Sequence, residues 1–511
     1  MALGQGSLGV SLLASTYPRH ELTGDRVATG IEGFDSLIEG GIPRGDLVLL
    51  TGHPGSGKTM FSAQYLYHGA SQLGEPGIYV SFAENREAFL RNMKRTNMDF
   101  VKLEEQGRFR FVDLVTVKQA GVEDVLGLVL SEIDSVKAKR LVIDSFSALS
   151  QAFVERIDAR IVLHTILGKM VRLRGVTTLL ISEKPMGPEW IGGGMEEFVA
   201  DGVVVLSNLS SRGYLRRVLQ VVKMRGTRTR RTEVRYEIGD HGITLYLMPE
   251  IIPVQKVYSE RVKTGIEGLD SMLGGGPFKG STTLVTGAAG TGKTTAALHF
   301  IVEGARSNER GLFVSLEESE EQLIKQAEAF GWKMKELLAK GMVTMVSLVP
   351  QPDNVDDKFL QVMRLVGERG ITRLVVDDID AVVGIVPNDQ YVQYIKTAES
   401  ILKVIGVTSV ITEVSDSNGP LPTSDYASVA DVILSLRHVE SDSDLKKALV
   451  IFKARGIHHD TSIREYEITS KGMVVKEKFA RLQEILRGST KNSWQDVWEN
   501  TIARRNQEQS H

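Results

Sequence analysis

Two eight-residue stretches hold the residue types best suited to gripping a polyphosphate. Gly52-His53-Pro54-Gly55-Ser56-Gly57-Lys58-Thr59 and Gly287-Ala288-Ala289-Gly290-Thr291-Gly292-Lys293-Thr294 both fit G-x-x-x-x-G-K-[ST]. Glycine at these places lets backbone N–H groups curl around phosphate oxygens, and a helix starting at the lysine turns its positive end toward them. Lys58 and Lys293 would neutralise β- and γ-phosphates, while Thr59 and Thr294 offer hydroxyls to Mg2+. A chance glycine turn would not recur behind a strand and before a helix at two matching places. The expected ligand is a nucleoside triphosphate with magnesium.

The metal needs a second anchor, an acid ending a later strand. Leu141-Val142-Ile143-Asp144 and Leu374-Val375-Val376-Asp377 supply it, each behind a basic residue, Arg140 and Arg373. Capping the next helix is the plainer role for such an aspartate. Hydrolysis also needs a carboxylate that orients or deprotonates the nucleophile. Glu317 and Glu318 follow a strand in the second half, whereas the matching place in the first half reads Ala83-Glu84. Glu84 is therefore either a base or a solvated residue opening a helix. Ser182-Glu183 and Thr412-Glu413 are expected at matching strand ends, as γ-phosphate sensors or as helix caps.

Strands and helices must hold these groups, and the chain shows the required pattern twice. Thr29-Gly30-Ile31-Glu32-Gly33-Phe34-Asp35-Ser36 recurs as Thr264-Gly265-Ile266-Glu267-Gly268-Leu269-Asp270-Ser271, a spacing that means two whole domains. Apolar strands are predicted at Asp46–Thr51, Gly77–Phe82, Arg108–Val112, Arg140–Asp144 and Thr177–Ser182. Their second set is Thr282–Thr286, Gly311–Leu316, Met342–Val346, Arg373–Asp377 and Thr408–Thr412. Such strands alternating with helical patterns predict an α/β fold, with a mostly parallel central sheet flanked by helices in each domain. Antiparallel additions are predicted at Gly202–Ser207 and Arg217–Met224, and at Asp431–Leu436 and Ala448–Lys453. The expected organisation is a flexible leader over 1–24, domains over 25–250 and 251–480, and an extension over 481–511.

Among the 511 residues there is no cysteine, which removes disulfides, thiolate metal sites and cysteine nucleophiles and fits a cytoplasmic protein. The formal net charge of -3 argues against bulk affinity for a polyanion. No run of about 18 apolar residues predicts a membrane span. The mildly apolar Ser7–Ala14 lacks the basic start of a signal peptide.

With T-G-I-x-G-[FL]-D before each loop, Glu317-Glu318, and Lys223-Met224-Arg225-Gly226 and Lys453-Ala454-Arg455-Gly456 late in each copy, the chain resembles the KaiC-like double-domain ATPases of the RecA superfamily. The resemblance covers residues 28 to 480 or so. It implies two tandem RecA-like domains, a homohexamer of two stacked rings, and ATP at the subunit interfaces. It assigns Lys223, Arg225, Lys453 and Arg455 to the γ-phosphate held by a neighbouring subunit, an arginine finger in trans. Solvated strand ends are the plainer reading of those four. The resemblance also implies a role in timing or signalling, and autophosphorylation of an adjacent Ser-Thr pair in the second domain. That place reads Ala427-Ser428 here, so Ser428 is the phosphoacceptor candidate, with Thr423 and Ser424 nearby. Ala83 stands where the family has a glutamate, which implies slow hydrolysis in the first domain or takeover by Glu84. Asp378 replaces a small hydroxyl residue beside Asp377 and is expected to perturb magnesium.

Arginines are dense between Arg212 and Arg235, including Arg225, Arg228, Arg230 and Arg231, which suits a phosphate backbone. Few aromatics interleave for base stacking, so nucleic acid is disfavoured as a partner. His458-His459-Asp460 suggests a metal, yet adjacent strand residues face opposite ways. Trp494 and Trp498 are spaced for one helical face in the tail, where regulatory proteins are the expected partners. Three functions stay open: an ATPase and autokinase, a DNA-dependent RecA-type ATPase, and a nucleotide-gated scaffold with little hydrolysis.

Overall fold

The structure, a computed structural model, describes residues 25–114, 122–147, 173–183, 199–211, 214–229, 233–249, 257–352, 354–415, 425–441 and 444–478. The leader, the C-terminal extension with Trp494 and Trp498, and Arg212, Arg230, Arg231, Thr423 and Ser424 lie outside the described residues. The chain passes from one compact unit to a second between Pro249 and Glu250.

The first unit's central sheet has nine strands: β1 (Leu47–Gly52), β2 (Gly77–Ser81), β3 (Phe109–Asp113), β4 (Arg140–Asp144), β5 (Thr177–Glu183), β6 (Gly202–Ser211), β7 (Tyr214–Met224), β8 (Val234–Gly239) and β9 (Gly242–Tyr246). Their order across the sheet is β9-β8-β7-β6-β1-β5-β4-β2-β3. From β6 through β3 all neighbours are parallel, and from β6 outward to β9 they are antiparallel. Leu47, Val48, Leu49 and Leu50 are buried at the sheet's centre, as expected of a parallel strand covered on both faces. The second unit repeats this with β10 (Thr282–Gly287), β11 (Gly311–Ser315), β12 (Val343–Ser347), β13 (Arg373–Asp377), β14 (Thr408–Val414), β15 (Val432–Ser441), β16 (Asp444–Ala454), β17 (Arg464–Thr469) and β18 (Gly472–Lys478). Their order is β12-β11-β13-β14-β10-β15-β16-β17-β18. The fold is therefore the α/β pair of mostly parallel sheets that the sequence predicts. The last hairpin of each unit, β8–β9 and β17–β18, is additional to the predicted strands.

The recurring Thr-Gly-Ile-x-Gly segment is a turn tied by its aspartate, with the threonine and isoleucine buried. Asp35 accepts from the Thr29 N–H and hydroxyl (2.9 and 2.7 Å), and Asp270 accepts from the same groups of Thr264 (2.8 and 2.7 Å). The basic residues opening β4 and β13 are buried pillars. The Arg140 guanidinium reaches Glu75 at 2.7 Å and the Tyr65 carbonyl at 2.7 Å, lying over the Tyr65 ring. Arg373 meets Glu309 at 2.5 Å and the Phe300 carbonyl at 2.8 Å, over the Phe300 ring. Each pillar passes a glycine: a Cβ on Gly69 would lie 2.2 Å from Arg140 Nε, and one on Gly304 would lie 2.3 Å from Arg373 Cδ.

The helix after each phosphate loop, α1 (Lys58–His68) and α2 (Lys293–Arg306), holds the final hairpin by one polar side chain. In the first unit Gln64 Oε1 accepts from the Ile243 N–H at 2.8 Å. In the second, His299 Nε2 accepts from the Met473 N–H at 2.8 Å, with the ring edge-on to Trp332. Burial, with Arg306 adding to it, pushes the His299 pKa down to about 4. The unfolded chain titrates near 6.5, so between those values it binds more protons than the folded unit. Stability is then complete above about pH 6.5 and declines as pH falls toward 4, by up to about 3 kcal/mol. Because glutamine does the same work in the first unit, His299→Gln should keep the latch and remove this pH dependence. Amide exchange at Met473, compared at pH 6.5 and 5, should show a smaller loss of protection in the variant than in the natural protein.

Candidate functional site

Each phosphate loop leaves the central strand and ends in a left-handed glycine before its helix, at Gly57 (φ 91°) and Gly292 (φ 96°). The loops are closely packed at their entry, where a Cβ on Gly52 or Gly287 would lie 2.2 or 2.3 Å from the carbonyl oxygen of Leu206 or Leu436. They are open at the middle: a Cβ on Gly55 would meet nothing within 4 Å, and one on Gly290 only His438 Nε2 at 3.9 Å. Lys58 Nζ folds back onto the carbonyls of Gly52 and His53 (2.9 and 3.0 Å), and Lys293 onto those of Gly287 and Ala288 (3.0 and 3.4 Å). Burial lowers the Lys58 pKa, against a smaller opposing pull from Glu183 and Asp144. Thr291 Oγ1 donates to the Ala288 carbonyl, while Ser56 Oγ is buried without a hydrogen-bond partner.

The strand-end aspartates lie against the hydroxyls that follow the lysines. Thr59 Oγ1 donates to Asp144 Oδ2 at 3.3 Å, and a Thr294 hydrogen bond reaches Asp377. Burial raises the pKa of both aspartates, and these hydroxyl donors oppose it. A cation would be held by Thr59 and Asp144, or by Thr294 and Asp377, together with phosphate oxygens and water. The residues fit both groups: an open glycine cradle with a lysine held only by loop carbonyls for the phosphates, and a hydroxyl–carboxylate pair for Mg2+. Asp378, beside Asp377, accepts from the Asp380 N–H at 3.2 Å and caps the turn Ile379–Ala381. Its pKa is pushed up to about 7 by burial and by Asp380.

The carboxylates after β2 and β11 share a geometry. Glu84 N–H donates to Ser81 Oγ (3.0 Å) and Glu318 N–H to Ser315 Oγ (2.9 Å), so Glu84 occupies the place of Glu318 and Ala83 that of Glu317. Ala83 and Glu317 are exposed, whereas Glu84 and Glu318 are half-buried. Burial raises the pKa of Glu84 and Glu318, and Asp144 or Asp377 adds to it. Glu84 also accepts from Asn92 Nδ2 at 2.8 Å. The carboxylate that feels the strand-end aspartate is thus present in both units.

Glu183 and Glu413 do not occupy matching places. Glu183 pairs with Gly52, but Glu413 pairs with Thr286, one residue earlier, so Ser182 is the true counterpart of Glu413. A one-residue slip sends the side chains to opposite faces, and accordingly Glu183 is exposed while Glu413 is buried.

Lys223, Arg225, Lys453 and Arg455 sit at the other end of the sheet from their own phosphate loop. Strand β7 runs antiparallel, so Lys223 pairs with Val203, which lies beside Leu49, while the loop begins past Gly52 beside Leu206. Lys453 likewise pairs with Ile433, beside Leu284, away from Gly287. Lys223 Nζ donates to the Ala200 carbonyl (2.8 Å) and Arg225 pairs with Asp201 (2.9 Å). Lys453 donates to the Ala427 carbonyl (3.1 Å) and Arg455 to the Ser428 carbonyl (2.9 Å). Ser428 is exposed in the short helix α3 (Asp425–Val429), at this same end. At His458-His459-Asp460, the Asp460 oxygens are taken by Ser462 and Arg464 (2.6 Å each).

Two supports of the loops went unread in the sequence. Tyr236 donates to the Ser56 carbonyl and Tyr466 to the Thr291 carbonyl, both at 2.5 Å, from strands β8 and β17. The repeated Tyr-Glu-Ile at Tyr236–Ile238 and Tyr466–Ile468 was the available signal. Lys447 also lies at its loop, donating to the Gly290 carbonyl at 3.0 Å.

Fold and site define a class, a tandem of RecA-like P-loop domains. The family described as "ATPase: KaiC" matches residues 27–250 and 262–480. The chain is 32% identical over 479 residues to the circadian clock oscillator protein KaiC of Prochlorococcus marinus (strain MIT 9313), covering 91% of this chain and 95% of that protein. The KaiC of Synechococcus elongatus (strain ATCC 33912 / PCC 7942 / FACHB-805) is 31% identical over 477 residues, 91% of each chain. That of Thermosynechococcus vestitus (strain NIES-2133 / IAM M-273 / BP-1) is 32% identical over 478 residues, again 91% of each. The chain belongs to the KaiC family of ATPases. No helix among the described residues is long and apolar enough to cross a membrane.

Each lysine should carry its own nucleotide. Lys58→Ala and Lys293→Ala should each lower the bound ATP per chain from about two to about one, read by equilibrium dialysis with labelled nucleotide.

Proposed function

We propose that the chain is a homohexameric Mg-ATP-dependent ATPase that phosphorylates itself on Ser428 and serves a timing or signalling role, in the cytoplasm, as its clock-protein relatives' names suggest. The observation carrying this reading is the placement of Lys223/Arg225 and Lys453/Arg455 at the end of the sheet opposite their own loops. A cation at that end meets a γ-phosphate only if another copy brings its loop there, so ATP would lie between copies in a ring. The ring needs head-to-tail contacts, which close into a cyclic oligomer.

In this reading Gly52, Gly55, Ser56 and Gly57, with their counterparts Gly287, Gly290, Thr291 and Gly292, present backbone N–H groups to the phosphates. Lys58 and Lys293 turn from the loop carbonyls to the phosphate oxygens. Magnesium, held by Thr59 with Asp144 and by Thr294 with Asp377, would supply charge neutralisation between β- and γ-phosphates. Lys453 and Arg455 of the adjacent copy stabilise the charge that develops on transfer. Glu84 in the first unit, and Glu318 with Glu317 in the second, accept the proton of the attacking group. For autophosphorylation, Ser428 Oγ forms a bond to the γ-phosphorus and the bond to the β,γ-bridging oxygen breaks. ADP leaves, and the serine proton passes to the glutamate of the copy that holds the nucleotide. Regulatory proteins at the C-terminal tail complete the proposal.

Lys453→Ala/Arg455→Ala and Lys293→Ala chains should each fail to phosphorylate Ser428. Mixed and reassembled in equal amounts with ATP, they should regain phosphate at about a quarter of the sites, because intact loops then face intact cations. Mass spectrometry of Ser428 gives the reading, and no recovery in the mixture defeats the trans arrangement. A second outcome separates hydrolysis from a scaffold role in the first unit. In a Lys293→Ala background, Glu84→Gln should slow the remaining ATP turnover by about 100-fold; an unchanged rate would remove Glu84 as the base.

A further inference from the structure

We propose that Tyr79 is a positioning residue for the metal site of the first unit, its hydroxyl holding Asp144 in the orientation that receives the cation. Tyr79 is buried in β2, two residues before the strand's end, and its hydroxyl donates to Asp144 Oδ2 at 2.5 Å. The same oxygen accepts from Thr59 of the phosphate loop, so strand β2, strand β4 and the loop meet at one atom. The ring is clamped by Phe89 (centroids 4.6 Å apart) and by Phe111, stacked at 5.5 Å, which leaves the hydroxyl one direction to point.

The second unit solves the same problem from the other side. Gly77 and Gly311 open β2 and β11 and pair with Arg140 and Arg373, which makes Phe313 the counterpart of Tyr79. Phenylalanine has no hydroxyl to give. There, Thr412 of β14 donates to Asp377 Oδ1 instead. By the pairing of β5 with β1 and of β14 with β10, the counterpart of Thr412 is Ile181, which has no donor either. Each aspartate thus has one tether from a flanking strand, and the tether has changed strands between the units. A hydrogen-bond donor recruited on the opposite side wherever the first is missing marks a requirement of the carboxylate itself. A merely structural tyrosine would need no such replacement.

When Thr59 turns to a cation, Tyr79 remains the donor that keeps the carboxylate aimed. Losing a partner of this kind typically costs about tenfold or more in metal affinity. The inference rests on the reading of the first loop as a Mg-nucleotide site, and the test keeps the two apart. In full-length Lys293→Ala protein, Mn2+ binding with a non-hydrolysable ATP analogue is followed by the electron paramagnetic resonance of free Mn2+. Tyr79→Phe, which only copies the residue at Phe313, should weaken Mn2+ binding by about tenfold. Adding Ile181→Thr, which transplants the second unit's tether, should restore it. Unchanged affinity in Tyr79→Phe overturns the assignment. A loss that Ile181→Thr fails to restore overturns it too, since it marks damage to the aromatic cluster. If the protein with Tyr79 intact binds no Mn2+ with the analogue, the nucleotide reading of the first loop falls, and Tyr79's role with it.

Discussion

A strand in a sheet has two ends, and in both units the central strand spends one on the phosphate loop while the hairpin beside it turns back to the other. Strands β6 and β15 run parallel to β1 and β10, and their partners β7 and β16 run antiparallel, so Lys223, Arg225, Lys453 and Arg455 are delivered to the far edge. No side-chain rotation undoes this, because it is fixed by strand direction and register. In the proposed reading, a loop that carries its own lysine but lies away from Lys223 and Arg225, or from Lys453 and Arg455, is half of a phosphoryl-transfer site. The proposed ring follows from that constraint, and so does the grouping of Ser428 with Lys453 and Arg455.

Within this shared plan the two units differ at single positions around equivalent atoms. Tyr79 corresponds to Phe313, Ala83 to Glu317, Ser145 to Asp378 and Gln64 to His299. The differences are not uniformly losses in the first unit. Glu84 keeps the half-buried place of Glu318, and Tyr79 replaces a donor that Thr412 provides elsewhere. The carboxylate absent at Ala83 is the exposed one of the pair, which favours takeover by Glu84 over slow hydrolysis in the first unit.

Most of the parallel sheet could be read from the residues because buried strands are written as uninterrupted apolar runs, such as Leu47–Leu50 and Leu374–Val376. Glycine spacing, whose chemistry is local, marked the loops as directly. The final hairpins were harder: Val234–Gly239, next to one sheet's edge, and Gly472–Lys478, at the other's, mix charged and apolar residues. Gly242 (φ 94°) and Gly472 (φ 103°) mark their turns, but a glycine turn does not say which strands it joins. Glu183 and Glu413 show a different limit. They look equivalent because both follow a hydroxyl residue, and only pairing with the central strand shows them one step out of register. The tyrosines under the loops escaped for a similar reason, as their partners are carbonyls far along the chain.

The arginine pillars have a consequence for how such a chain can change over time. Any side chain at Gly304 collides with Arg373, and any shorter residue at Arg373 leaves an empty channel and takes the guanidinium from Glu309. Neither member can be replaced first without a penalty, and the energies of the two changes are strongly non-additive because they share the same space. The same holds for Gly69 with Arg140 and Glu75. A fused duplicate inherits the whole interlock or none of it. That makes this interlocking triad a more conservative witness to the common ancestry of the two halves than the exposed Ala83 and Glu317 positions, which are free to drift one residue at a time.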